Sequence, residues 1–133
     1  MSSQEDKEHD FVRARIVQFG QRTYGWFKTF IQTYSAIVGG SVWLRLKFKE
    51  PAPIEYAHLS SALVFLLFLI SLVIIIDSHI SWCGYRDRLY VLEPKVGPRK
   101  FKSLITPTLM LFVMAVATVG FVCFNPFEFV APK

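Results

Sequence analysis

Cysteine and asparagine are scarce in this sequence, and their scarcity excludes several kinds of protein. Only two of the 133 residues are cysteine, which is too few for a disulfide-based scaffold or for a zinc site built from about four cysteine ligands. Asn125 is the one asparagine and precedes Pro126, so the chain has no N-glycosylation sequon. The missing sequon disfavours a secreted or cell-surface protein.

Motifs that carry catalysis are also missing. The sequence has no phosphate-binding glycine loop, no dinucleotide fingerprint, no nucleophile beside a base and no His/Cys/Glu metal set. Its histidines, His9, His58 and His79, stand in unrelated segments. We therefore predict that the protein is not an enzyme and holds neither a metal ion nor an organic cofactor.

Charged residues are also scarce, and their low share indicates a membrane protein. Charged residues make up 19% of the chain, against about 25% in soluble proteins, while 53% of the residues are hydrophobic. Two uncharged runs, residues 59–76 and 103–127, hold much of this excess. The first has 18 residues, or roughly 27 Å as a helix, close to the ~30 Å hydrocarbon core of a bilayer. These runs predict transmembrane helices at 57–81 and 103–125.

The segment between the two runs is predicted to be a basic loop at residues 82–102. It is interrupted by Gly84, Pro94, Gly97 and Pro98, which disfavour a long helix there. The two predicted spans then form a hairpin, followed by a short C-terminal tail at 126–133. Six Lys or Arg between residues 77 and 102 favour the cytoplasmic or matrix side for this loop.

The region before the spans is basic and amphipathic. An acidic tail at 1–10, with no signal-peptide character, precedes residues 11–50, in which apolar residues recur every three or four positions. Residues 11–49 contain seven Lys or Arg and no acid. Such a helix is built to lie in the membrane interface or to pack on a partner subunit, and the two roles are compatible. The predicted fold is an all-α membrane protein, a two-transmembrane-helix hairpin preceded by a basic amphipathic interfacial helix.

Residues 29–44 leave a further alternative open. They form an uncharged stretch of 16 residues, which is short for a span of about 20, so a third, short or re-entrant helix is possible there. Glu50, Pro51 and Pro53 then predict a stiff elbow into the first span.

Two sets of residues are candidates for contacts outside the chain. Basic and aromatic side chains near the predicted membrane surface are candidates for lipid or interface contact: Arg13, Arg15, Arg22, Trp26, Lys28, Phe30, Trp82, Arg86, Arg88, Lys100 and Lys102. Small residues that allow close helix approach are candidates for helix packing: Ser35, Ala36, Gly39, Gly40, Ala117 and Gly120. Asp77 and His79 follow the first run and are interpreted as membrane-boundary residues in preference to a proton path.

These features favour a non-catalytic accessory subunit of a large membrane complex. The expected partners are the membrane and other integral membrane subunits, with no nucleic acid, and a bound anionic phospholipid such as cardiolipin is possible. The absent signal peptide and sequon and the basic, acid-poor segment favour the mitochondrial inner membrane, within a respiratory-chain or ATP-synthase assembly. The alternatives are a small oligomeric channel or transporter, and a regulator or assembly factor of the endoplasmic-reticulum membrane.

Overall fold

The computed structural model describes residues 2–47, 53–100 and 102–128, and nearly all of them are helical. Helix α1 runs from Ser2–Lys47, helix α2 from Ile54–Leu92 and helix α3 from Lys102–Cys123. A short 3₁₀ turn, Pro94–Val96, lies between α2 and α3. The predicted elbow at residues 50–52 and the last part of the C-terminal tail, 129–133, fall outside the described residues.

Helices α2 and α3 are long and apolar enough to cross a membrane. In the most apolar part of each helix, only 22% of the residues are buried within the chain. The core helix of a soluble protein would be mostly buried, so the exposed apolar surface of α2 and α3 supports insertion into lipid. The all-helical fold with two candidate spans was predicted from the sequence.

Helix α1 is one continuous helix and includes the acidic residues predicted to be an N-terminal tail. Its buried face carries apolar residues three or four positions apart, among them the fully buried Val12 and Phe30. This face packs lengthwise on α2: Phe19 stacks on Tyr85 near one end, and Phe30 contacts Ile75 farther along. The two helices are therefore antiparallel, and residues 29–44 belong to α1 and not to a separate re-entrant segment.

Helix α2 extends well beyond its predicted end at residue 81. The predicted loop at 82–102 is wrong over residues 82–92, which continue the helix to Leu92. Tyr85 and the buried Leu89 pack on the same face as the earlier buried residues, and this packing outweighs the helix-weakening effect of Gly84. The helix ends where the Glu93 N–H donates to the Leu89 carbonyl, and Gly97, with φ of 75°, closes the turn that follows.

Small side chains line the buried face of α2 at a seven-residue spacing. Ala57, Val64, Ser71 and Ser78 are all buried and stand seven positions apart. A seven-residue repeat keeps one face of a helix against its neighbour over a long distance, as in coiled coils. Small residues at these positions let the helix backbones approach closely.

Helix α3 lies antiparallel to α2 and parallel to α1. Asn125, two residues beyond the end of α3 at Cys123, contacts Ala57 near the start of α2. Met114 of α3 joins Phe30 of α1 and Ile75 of α2 in a fully buried cluster, the central core of the three-helix bundle. All three helices therefore contribute to one core, which places the middle of α1 beside the apolar parts of α2 and α3.

Candidate functional surfaces

One end of the bundle, where α1 begins and α2 ends, is rich in ion pairs between the two helices. Arg13 Nη2 lies 2.6 Å from Glu93 Oε2, and Arg88 pairs with Glu8. Because the partners are about 80 residues apart in sequence, the pairs fix the antiparallel register of α1 and α2. We call this region, residues 2–22 and 77–100, the charged end.

The Arg13 guanidinium also changes the acidity of its partner. Its hydrogen bond to Glu93, together with its charge, lowers the pKa of that carboxyl, and the charges of His9 and Lys95 act in the same direction. Glu93 is therefore a carboxylate at neutral pH, and its contribution to stability is lost only as the pH falls below the ordinary range for glutamate.

Aromatic contacts reinforce the charged end. Phe19 stacks on Tyr85 with ring centroids 5.7 Å apart, and Phe11 meets the edge of the same ring at 6.3 Å. The guanidinium of Arg15 lies over Phe11, 5.2 Å from the ring centre. The first helical turns of α1 are thus held by stacked rings as well as by ion pairs.

The structure divides the candidate lipid residues into two groups. Arg13, Arg22 and Arg88 face acids of the neighbouring helix, with Arg22 Nη1 at 3.9 Å from Asp77 Oδ2. Phe30 is completely buried, and Trp26 packs partly buried against the same core. An external contact for Phe30 is therefore excluded, because its ring is enclosed by its own chain. The candidates that remain at the surface are Arg15, Lys28, Trp82, Arg86, Lys100 and Lys102, of which Arg15, Trp82 and Arg86 are half-buried.

The candidate packing residues also fall into two groups. Ala117 packs against the central core, and its carbonyl accepts a hydrogen bond of 2.9 Å from the Tyr34 hydroxyl. Gly120 is half-buried on the same helix. In contrast, Ser35, Ala36, Gly39 and Gly40 on α1 are exposed, and a Cβ added at either glycine would meet nothing within 4 Å. These four residues are thus unused by the packing of this chain.

Two of these exposed small residues, Ala36 and Gly40, belong to a longer stripe of small and polar residues on α1. Every third or fourth residue from Gly25 to Gly40 is small or polar and exposed: Gly25, Thr29, Gln32, Ala36 and Gly40. The 3.6-residue period places this stripe opposite the buried face that holds Phe30. We call it the outer stripe of α1.

Asn125 forms a buried polar clamp that sequence reasoning missed. Its side-chain nitrogen donates to the Ala57 carbonyl at 3.0 Å, to Ser60 Oγ at 3.0 Å and to Ser61 Oγ at 2.8 Å. Its side-chain oxygen accepts from the Phe127 N–H at 3.0 Å. The residue is completely buried, so these bonds tie the end of α3 to the start of α2. The one available signal was that asparagine occurs only once, at the end of an apolar run.

A cavity of about 320 Å³ lies between the three helices at the point where the apolar runs end. Gly20 of α1, His79 and Trp82 of α2, and Ser103 and Pro107 of α3 are among its lining residues. The His79 and Trp82 rings stack on each other with centroids 5.9 Å apart. Ser103 Oγ is buried and has no hydrogen-bond partner within the part of the chain that the structure describes.

Metal-binding chemistry has no support among the described residues, where no three His, Cys, Asp or Glu side chains form a group able to hold an ion. Cys83 is half-buried and Cys123 is exposed, and both are free thiols. No protein-family model matches the chain, and neither a curated protein nor a solved structure shows a significant match. The function therefore has to be argued from the surfaces themselves.

Proposed function

We propose that this chain is a non-catalytic subunit of a larger membrane protein complex, and that the outer stripe of α1 is where it contacts another subunit. The observation that carries this proposal is the position of the stripe. Along the bundle axis it lies at the level of the core residues Phe30 and Ile75, and therefore at the depth of the apolar run of α2. Its residues are nevertheless small or polar, and they are exposed on the outside of the bundle.

Exposure of the outer stripe to lipid acyl chains would be unfavourable. Gln32 and Thr29 would expose hydrogen-bonding groups to hydrocarbon, although the Thr29 hydroxyl is partly satisfied by the Gly25 carbonyl at 2.9 Å. A second transmembrane helix would accept the Gln32 amide and pack closely against Gly40. A helix of a neighbouring subunit therefore suits this face better than acyl chains do.

The packing of α1 also changes the proposed placement in the membrane. A helix lying flat in the interface cannot follow α2 lengthwise through the core, whereas α1 does so from Phe19 to Tyr34. We infer that the membrane unit is a three-helix bundle in which α1 crosses beside the α2–α3 hairpin. In such a bundle the start of α1 and the turn at 93–100 would lie on one side of the membrane, and the end of α3 would lie on the other.

The distribution of positive charge supports this topology. Nine Lys and Arg residues lie at the charged end. At the opposite end of the bundle, Arg45 and Lys47 stand in the last turn of α1, and Lys49 and Lys133 follow α1 and α3 in the sequence. The positive-inside rule then places the N-terminus and the loop in the cytoplasm or in the matrix.

Protease protection of terminal tags tests the three-helix topology. In sealed vesicles carrying the full chain, we expect an N-terminal and a C-terminal epitope tag to show opposite protection from added protease. A cysteine placed in the loop at Lys95 should share the accessibility of the N-terminal tag to an impermeant thiol reagent. Equal protection of both tags would contradict a crossing by α1 and would support the interpretation of α1 as a helix that lies in the membrane interface.

Substitution in the outer stripe tests the subunit contact. We expect Gly40→Leu to reduce the yield of the large assembly on native gels by about tenfold, since blocked helix approach costs on the order of 1–2 kcal/mol. The matched control is Gly84→Leu, because Gly84 is also exposed on a helix with nothing within 4 Å of an added Cβ. A wild-type chain that migrates as a monomer, or equal yields for both variants, would contradict the proposal.

The compartment rests on the sequence alone. The absent sequon and the acid-free stretch at 11–49 favour the mitochondrial inner membrane, and a respiratory-chain or ATP-synthase assembly within it. Fractionation of cells that express the tagged chain should show enrichment with mitochondrial membranes. Enrichment with microsomes would move the proposed complex to the endoplasmic reticulum.

A further inference from the structure

We infer that the cavity between the three helices is a binding site for an anionic phospholipid, with the phosphate at its polar rim and the first part of the lipid tail in its apolar floor. The inference is independent of the proposed subunit role, because a lipid site can exist in an isolated chain or within a complex. It rests on the chemistry of the lining, on the charges at the rim and on the depth of the cavity.

The lining combines hydrogen-bonding groups with apolar groups. Ser103, Thr106 and the stacked pair His79 and Trp82 supply hydroxyl, imidazole and indole groups, while Met110 adds an apolar surface. No carboxylate is among the described lining residues. A volume of about 320 Å³ lies within the roughly 300–1,000 Å³ range of ligand sites. This arrangement suits an amphiphile.

Ser103 gives the clearest indication that this cavity suits a polar ligand. Its Oγ is buried without a partner among the described residues. Its carbonyl lies one helical turn before Pro107, which has no N–H to donate to it. Buried polar groups in proteins are nearly always hydrogen-bonded, so a polar ligand group at this position would satisfy the Ser103 hydroxyl. The Ser103 hydroxyl can donate to an ester or phosphate oxygen of a phospholipid, and the glycerol headgroup of phosphatidylglycerol adds hydroxyls of its own.

The charge at the rim selects a negative headgroup. Lys100 and Lys102 are exposed just before Ser103, and the N-terminus of α3 begins at Lys102. The first backbone N–H groups of a helix favour a phosphate through their geometry and their partial positive charge. Arg99 contributes less, because its guanidinium lies 3.5 Å from the Asp87 carboxylate. Lys100, Lys102 and the first turn of α3 therefore lie close in sequence to the lining residue Ser103.

The depth of the cavity identifies a lipid as the source of that phosphate. Its lining lies just beyond the end of the apolar run of α2 at residue 76 and at the start of the apolar run of α3 at residue 103. In a bilayer this is the boundary between headgroups and acyl chains, where Trp82 is also a favoured side chain. A phospholipid already has its phosphate and its tail on the two sides of this boundary.

Native mass spectrometry of the delipidated full chain, with added dioleoyl-phosphatidylglycerol or dioleoyl-phosphatidylcholine, tests the site. We expect one phosphatidylglycerol to be retained in preference to phosphatidylcholine. The variants Lys100→Gln and Lys102→Gln should each weaken that retention about fivefold, as expected for roughly 1 kcal/mol per lysine. Thr106→Trp fills the cavity from its exposed rim and should abolish retention, whereas Thr33→Trp, on an exposed face of α1 outside the cavity, should not.

Three results would overturn the inference. Equal retention of the two lipids by the wild-type chain would remove the selection for negative charge. Equal retention by Thr106→Trp and Thr33→Trp would place the lipid elsewhere. Displacement of phosphatidylglycerol by an equal concentration of inorganic phosphate would make the site a phosphate site without a lipid.

Discussion

A Phe30→Ala variant is expected to lose about 3–5 kcal/mol of unfolding free energy. The Phe30 ring is completely buried and contacts Ile75 and Met114, so its removal leaves a cavity in the central core, to which all three helices contribute. Dispersion contacts in such a cluster contribute whether the surroundings are water or lipid, because the bundle interior is more densely packed than either. Equilibrium unfolding of the purified chain in detergent micelles, followed by circular dichroism, measures the loss.

Phe112→Ala is the matched control for this experiment. Phe112 lies on α3 and is 64% exposed, so truncation there removes the same atoms from a surface instead of from the core. We expect the control to change the unfolding free energy by less than about 0.5 kcal/mol. Similar losses in the two variants would show that Phe30 is not enclosed by the three helices.

The second large effect is expected at Asn125. An Asn125→Leu variant keeps the approximate volume of the side chain but leaves the Phe127 N–H without its acceptor and removes the bonds to α2. Each buried group left without a partner costs about 1–3 kcal/mol. Hydrogen exchange should show faster opening of residues 121–128 and of the first turns of α2, with little change at the charged end.

Ser61→Ala provides a graded comparison for Asn125→Leu. It removes one of the three acceptors of the Asn125 nitrogen and leaves Ser60 Oγ and the Ala57 carbonyl in place. A loss of about 0.5–1.5 kcal/mol is expected, as for a single hydrogen bond. If Asn125→Leu were no more damaging than Ser61→Ala, the clamp would not hold α3 to α2.

The parts of the fold that depend on local composition were predictable from the sequence. The two apolar runs identified α2 and α3, because the length and hydropathy needed to cross a bilayer are properties of a single segment. The period of apolar residues in α1 likewise predicted a helix with Phe30 on its apolar face. The sequence did not show what the apolar face of α1 contacts. We predicted lipid or a partner subunit, whereas in the structure this face packs on α2 and α3.

The errors concern interactions between distant segments. The extension of α2 past residue 81 depends on Tyr85 and Leu89 packing against α1, which no local rule for glycine and proline includes. The acidic N-terminal residues were predicted to be a tail because their partners, such as Arg88 for Glu8, lie about 80 residues away. No signal in the sequence marked Ser103, since only the three-helix arrangement shows that its hydroxyl is buried without a partner among the described residues.

The 39 residues of α2 have a consequence for the reach of the protein. A helix of that length extends about 58 Å, almost twice the ~30 Å hydrocarbon thickness of a bilayer. The 16 residues from 77 to 92 alone extend about 24 Å beyond the apolar run, and α1 runs beside them as a paired strut. A partner bound to the first residues of α1 would thus be held at a fixed distance from the membrane surface. A lateral displacement of this end of the bundle would tilt the same helices within the bilayer.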